Sequence, residues 1–343
     1  MTLHISSLYL RHFRCHREMF FAFSPGMNCI IGPNARGKTS LLEALYLLIC
    51  GRSLRSHDLK EAILKEEEAF AVEAHFAKLS VPQTLSFWQH RDKRALTCNK
   101  TPLPSLNSLI GLLPGVLLLP QDLQLLLGPP QVRRQFLDLQ LSQGDPLYLH
   151  HLCRYTHALA ERNRLLKRKE RRSLSVWETL LLQSGLYLQK ARTRLIDELL
   201  PFLRSYHEKI SGEEAPLQLE YRPSILKESW EPYRAREEML GYTLFGPHRD
   251  DWVLFLHHLE ARLFASEGQM RSVIAALRLS QWQRLAQHLQ LPPLLLIDDL
   301  GQSLDDQRRE RFSSLLSSFG QVFLTSTDPH LIDVTLPHTS FFL

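Results

Sequence analysis

Gly32, Gly37, Lys38 and Thr39 fall in the order G-x-x-x-x-G-K-[ST] within Ile30-Ile31-Gly32-Pro33-Asn34-Ala35-Arg36-Gly37-Lys38-Thr39-Ser40. Each residue type has a chemical reason. A glycine without Cβ lets backbone N–H groups close on a phosphate. A lysine reaches the β- and γ-phosphates as a point charge, and a threonine offers its hydroxyl to Mg²⁺. Gly32 through Ser40 are therefore the expected triphosphate-binding residues. Far along the chain, Leu294-Leu295-Leu296-Ile297 is an apolar run that ends in Asp298-Asp299. The first carboxylate suits the metal, with Thr39, and the second suits the attacking water. Lys38, Asp298 and Asp299 are the expected catalytic set. A third element, Ser266-Glu267-Gly268-Gln269, opens a helical stretch. A serine hydroxyl and a glycine backbone at a helix N-terminus attract anions.

The elements that must hold these groups are legible. Met27 to Ile31 reads as a short buried strand into the loop. Leu41, Leu42, Ala44, Leu45, Leu47 and Leu48 give a helix apolar on most sides, stopped near Gly51. Residues 3–23 read as strands before a turn at Ser24-Pro25-Gly26, and 58–100 as short strands with a hairpin around Asn99-Lys100. From Gln131 to about Lys209 the pattern is helical. Residues 211–235 carry Pro216, Pro223 and Pro232 and read as an irregular return. A strand near Trp252 to Phe255 follows, then a helix from about Gly268 to His288. Asp305 to Ser318 reads as a helix, and Gln321 to Thr325 as a last buried strand.

The formal charge of +5 permits a polyanionic partner without demanding one. Five cysteines without C-x-x-C fit reduced residues of a cytoplasmic protein better than a disulfide frame. Thr101 to Gln121 is uncharged and long enough to cross a bilayer, but Pro102, Pro104, Pro114 and Pro120 would break such a helix, so no membrane role is expected. A buried strand around Val116 to Leu119 is the expected alternative.

Lys38 and Asp298 are 260 residues apart, much farther than in single-lobe GTPases. A large insertion between the two halves points to an ABC/SMC-type head. The expected fold is α/β, a mixed sheet with helices plus a largely helical second lobe. Its ATPase lobe would be 1–122 with 290–343, and its helical lobe, 123–289, would carry the Ser266 motif.

Taken together, the chain resembles the RecF family. The likeness runs through Leu10-Arg11-His12-Phe13-Arg14, Leu42-Glu43-Ala44-Leu45, Gly51-Arg52-Ser53-Leu54-Arg55, Gly128-Pro129-Pro130, Arg133-Arg134, Phe136-Leu137-Asp138 and Gly246-Pro247-His248-Arg249. It implies an ATP- and Mg²⁺-dependent homodimer that binds duplex DNA and single-strand gap junctions. Such a protein hydrolyses ATP slowly and works with RecO and RecR to load RecA. The resemblance also implies that Ser266, Gly268 and Gln269 bind nucleotide across the dimer. It assigns Ser303 and Asp305 to a loop that senses the site, and Thr325 and Thr327 to γ-phosphate sensing. Three residues depart from the family pattern: Ala35 replaces a glycine, Glu267 a basic residue, and Gln121 an acid.

For DNA, the candidates are Arg133, Arg134, Arg162, Arg164 and Lys167; the last three open the basic run that continues to Arg172. Arg52 and Arg55 are alternatives that could equally line the ATP site. Two other readings were weighed. A transporter subunit predicts L-S-G-G-Q, which is absent, and a switch histidine ending the last strand, where Thr325-Ser326-Thr327 stands instead. A DNA-bound scaffold with a degenerate ATP site is opposed by Lys38, Thr39, Asp298 and Asp299.

Overall fold

Period-two alternation at the start of the chain folds as an antiparallel hairpin, β1 (Leu3–Phe13) and β2 (His16–Ala22). The register of β1 shifts between Ile5 and Ser7, which returns Leu8 and Leu10 to the buried face already set by Leu3 and Ile5. The computed structural model describes residues 2–56, 58–224, 230–299, 304–328 and 338–343. After β3 (Met27–Ile31) and α1 (Lys38–Cys50) come β4 (Ala69–Lys78), β5 (Val81–His90), β6 (Arg94–Cys98) and β7 (Thr101–Pro102). The expected turn at Asn99-Lys100 joins the last two, with both residues at positive φ (50° and 67°). These strands form one sheet in the order β2-β1-β4-β5-β6-β7.

Next come β8 (Gly115–Leu118), α2 (Gln124–Leu127), α3 (Pro130–Gly144), α4 (Pro146–Arg168) and α5 (Leu174–Ser211). They are followed by β9 (Leu217–Arg222), α6 (Glu231–Leu240), β10 (Asp251–Leu256), β11 (Leu259–Glu260), α7 (Ala261–Phe264) and α8 (Glu267–Leu289). The chain closes with β12 (Leu294–Ile297), the helix Asp306–Leu315, β13 (Val322–Ser326) and β14 (His338–Phe342). A second sheet, β14-β3-β13-β12-β8, is parallel throughout. Its inner strands β3, β13 and β12 and the edge strand β8 are buried at every residue, as strands covered on both faces require. Gln321 stitches the two sheets: its amide accepts from Ile5 N and donates to Ile5 O and Ser24 O.

The chain divides into two compact units, 1–122 with 202–214 and 266–343, and 123–201 with 215–265. This differs from the expected lobes, which ended the helical one at 289. The reason is packing: α8 lies on β8, its Trp282 donates to Pro293 O, and its Arg278 grips Asp122. Two further expectations are corrected. Residues 211–235 contain β9 and the start of α6, because Pro216 and Pro223 only bracket the strand and Pro232 sits in the first turn of the helix, where no N–H is needed. Residues 322–326 are not the last strand, since β14 follows and pairs with β3.

The second unit is organised by buried charge. Arg162 is wholly buried and donates to Glu178, Glu237 and Thr243, with its guanidinium 4.3 Å from the Trp230 ring centre. Arg192 donates to Asp138, Asp250 and the Pro247 carbonyl. His248 lies between the Tyr155 hydroxyl (2.7 Å) and Thr243 O (3.1 Å), and burial pushes its pKa down to about 4 while the Thr243 carbonyl pulls it back up. An unfolded histidine titrates near 6.5. Between those values the unfolded chain binds a proton that the folded chain refuses, so stability holds above the upper value and falls as pH drops toward the lower. Urea unfolding is expected to show about 2 kcal/mol lost between pH 7 and pH 4.5, and His248→Gln is expected to flatten that slope.

Candidate nucleotide site

The parallel sheet delivers three chain ends to one edge. β3 runs into the glycine loop, β12 into Asp298, and β13 carries Thr325 at the same level; such carboxyl edges are where α/β sheets bind ligands. Gly32 N donates to Ser326 O and Asp298 N to Leu118 O, which fixes both loops to neighbouring strands.

The loop's shape follows from its residues. Gly37 has φ 95°, and a Cβ there would come within 2.5 Å of the His16 ring. His16 is buried, and its Nε2 lies 3.1 Å from Gly37 O. A carbonyl only accepts, so Nε2 carries the proton. Burial lowers the pKa of His16, partly offset by that carbonyl. Ala35 has φ 65°, the left-handed region in which a Cβ is strained. Ala35→Gly is therefore expected to raise stability by about 1 kcal/mol in chemical denaturation. The Lys38 ammonium donates to Gly32 O (2.6 Å) and Pro33 O (2.8 Å), so two of its three protons shape the loop and the third is free for a phosphate.

Opposite the loop, the two halves of the sequence meet. Thr39 Oγ1 donates to Asp298 at 3.1 and 3.0 Å from the two carboxylate oxygens. Thr325 Oγ1 donates to Asp298 Oδ1 (2.6 Å) and accepts from Asp299 N (2.9 Å). A hydroxyl beside a carboxylate is a hard oxygen donor set; it suits Mg²⁺, which keeps most of its shell for water and phosphate. These groups open on a cavity of about 570 Å³ that also takes in Asn34, Ala35, Gly37, Ser40, Pro120, Arg14, Cys15, Arg55 and the stretch from Glu61 through Ile63 to Lys65. That volume accommodates a nucleotide-sized ligand.

The Glu61–Lys65 wall is held by a cluster that pattern reading missed. Arg14 donates to both oxygens of buried Glu43 (3.0 and 2.6 Å), to Ser53 Oγ and to Glu61 O. The signal was available in Arg14 and Glu43, both within the quoted family segments, but their 29-residue separation hides the pairing.

Other expected residues lie elsewhere. Ser266, Gly268 and Gln269 stand at the start of α8 and do not line the cavity. Ser266 is exposed and closes a reciprocal cap with Gln269, whose Oε1 accepts from Ser266 N (2.8 Å). Glu267 pairs with Arg271 (2.7 Å), which offsets part of its charge. Asp305 caps the helix Asp306–Leu315, Thr327 is exposed beyond β13, and Ser303 lies outside the described residues. Gln121 is exposed, while its neighbour Asp122 accepts from Arg278 through both oxygens.

Two DNA candidates are corrected. Arg162 is the buried hub already described, and Arg133 is buried with its guanidinium on Asp251 at 2.6 and 2.9 Å. Both guanidiniums are engaged by carboxylates instead of facing solvent, and spacing alone cannot separate a cationic face from a buried ion pair. Arg134 is half-buried and donates to Asp250 O, whereas Arg164 and Lys167 are exposed. Arg55 lines the cavity, which places it with the nucleotide site. Among the described residues, no helix is long and apolar enough to cross a membrane.

The profile of the RecF/RecN/SMC N terminal domain family matches residues 4–336. The DNA replication and repair protein RecF of Protochlamydia amoebophila (strain UWE25) is 45% identical over 346 residues, covering 97% of this chain and 96% of the relative. The same-named protein of Chlamydia abortus is 37% identical, covering 98% and 93%. The solved structure of the recombination mediator protein RecF-ATPrS in the RecFOR pathway has a TM-score of 0.88 at 26% identity, with 97% of this chain and 94% of that one covered. An Smc head bound to the C-winged helix domain of ScpA, at TM-score 0.56 and 14% identity, shares the fold.

Proposed function

The chain belongs to the RecF family, and from that footing we propose that it is an ATP-dependent DNA-binding recombination mediator acting in DNA replication and repair. The observation that carries this reading is the meeting of Thr39, Asp298, Thr325 and Asp299 at the mouth of the glycine-loop cavity. Its relatives are named for replication and repair, and one solved neighbour is the recombination mediator protein RecF-ATP.

The residues divide the work by chemistry. Backbone N–H groups of Asn34–Ser40 and the Lys38 ammonium hold the triphosphate. Thr39 and Asp298 would hold Mg²⁺, which would offset phosphate charge. Asp299 orients the attacking water, and Thr325 ties the Asp298 carboxylate to the Asp299 backbone N–H, beside the γ-phosphate. Two copies close over two ATP molecules, each lending Ser266, Gly268 and Gln269 to its neighbour's nucleotide, with Asp305 and Ser303 at the junction. DNA, as duplex or gap junction, binds the closed form through exposed cations such as Arg164 and Lys167, and hydrolysis releases it. RecO and RecR would act on this complex to load RecA in the cytoplasm. Slow turnover fits a switch, in which the lifetime of the closed dimer matters more than rate.

Light scattering tests this. Asp299→Asn with ATP is expected to run as a dimer, and the wild type with ADP or no nucleotide as a monomer. A monomer under every condition at high concentration would sink the clamp. A scaffold with a degenerate site is the second reading, kept alive by strained Ala35. It predicts no ATP turnover with or without gapped DNA.

A further inference from the structure

Helix α6 ends in an apolar surface that the nucleotide and DNA readings leave unused, although Lys167 on its rim is one of the cations of the DNA reading. Gly241 caps it at φ 74°, with its N–H on Glu237 O, and the chain then turns so that Thr243 and Phe245 are buried. The same turn leaves Met239 76% exposed and Leu240 and Tyr242 each 38% exposed. Three large apolar side chains in four residues is more than scattered surface hydrophobicity.

The rim of this patch is cationic. The stem of Lys167, from the last turn of α4, lies across Gly241, where a Cβ would meet its Cγ at 2.9 Å. The Arg249 guanidinium sits 5.1 Å from the Tyr242 ring centre. Glu238, the acid of the same turn, is taken up by Arg171 at 2.8 and 3.0 Å. Lys167 and Arg249 therefore set the sign of the field around an apolar centre.

We propose that this surface docks an acidic segment of a partner protein that carries one or two apolar anchor residues. The anchors cover Met239 and Leu240, whose flexible and branched side chains adapt to varied shapes. Carboxylates of the segment face Lys167 and Arg249, and complementary charge raises the rate of encounter. A second copy of this chain does not fit, because a self-complementary contact would bring the same cations together. Nucleic acid does not fit either. Bases stack on flat rings, and the one ring here, Tyr242, already carries the Arg249 guanidinium, while the more exposed side chain, Met239, offers no flat face. The inference shares Lys167 with the DNA contact of the clamp but rests on Met239 and Leu240, which that reading does not use.

The test pans a phage-displayed library of random 12-residue peptides on the full chain, then measures the enriched peptides, fluorescein-labelled, by anisotropy. A 30-base-pair duplex is measured in parallel. Enriched peptides are expected to combine Asp or Glu with Leu, Ile, Phe or Trp. Their affinity is expected to fall about tenfold or more in Met239→Ser/Leu240→Ser, as anchor-pocket truncations do, and similarly in Lys167→Glu/Arg249→Glu. Duplex affinity should stay unchanged in Met239→Ser/Leu240→Ser, whose positions are exposed enough to leave folding intact. The proposal is overturned if no acidic–apolar pattern enriches, if enriched peptides bind the serine variant as well as the wild type, or if that variant loses duplex affinity instead.

Discussion

Asp298→Asn is expected to slow ATP turnover about 10²–10³-fold, the range seen when one preorganised charge-stabilising group is lost from a site. The carboxylate receives two donations, one from Thr39 shared between its two oxygens at 3.1 and 3.0 Å and one from Thr325 at 2.6 Å. An asparagine keeps one acceptor oxygen and turns an NH₂ toward a hydroxyl, so the cluster loses both its charge and one of its acceptor positions. The Lys38 contacts to Gly32 O and Pro33 O are untouched, so nucleotide affinity measured without divalent cation should change less than threefold, an effect of about 0.6 kcal/mol. Steady-state turnover with and without gapped DNA, beside a titration with a fluorescent nucleotide, separates the two quantities. Turnover within threefold of wild type would remove Asp298 from the chemistry.

Arg162→Ala is expected to destabilise the second unit by about 3–5 kcal/mol, because it strands buried carboxylates. Glu237 is wholly buried and receives a 2.6 Å donation from Arg162, although Leu244 N also serves it. Glu178 retains Arg234, so most of the loss falls on Glu237 and on the Trp230 stack. Arg164→Ala, two residues along the same helix, removes only an exposed pair with Glu161 and should change stability by less than about 0.5 kcal/mol. Urea unfolding of both variants makes the comparison. If Arg162→Ala unfolds like wild type but loses DNA affinity, the residue is a surface contact after all.

The contrast between Arg162 and Arg164 shows where reading a sequence stops. Both stand in one basic run, and nothing in their spacing marks one as a hub and the other as solvated. The partners that decide it, Glu237 and Thr243, are about 80 residues away. Arg133 and Asp251 repeat the case over a longer interval.

What the sequence determined alone was whatever depends on local chemistry. A glycine loop between an apolar strand and an apolar helix has one stereochemical use, and an apolar strand that ends in two aspartates has few. The hairpin at Asn99-Lys100 and the helix start at Ser266 were likewise readable, because turns and helix starts are set by neighbouring residues. The tertiary structure decided which distant groups share a site. Strand order brings Thr39 and Asp298, 259 positions apart, to one sheet edge where Thr325 bridges Asp298 and Asp299, and packing sets Arg14 on Glu43 and α8 in the sheet unit. Burial then sets which charges are paired inside and which face water, and no local pattern encodes that.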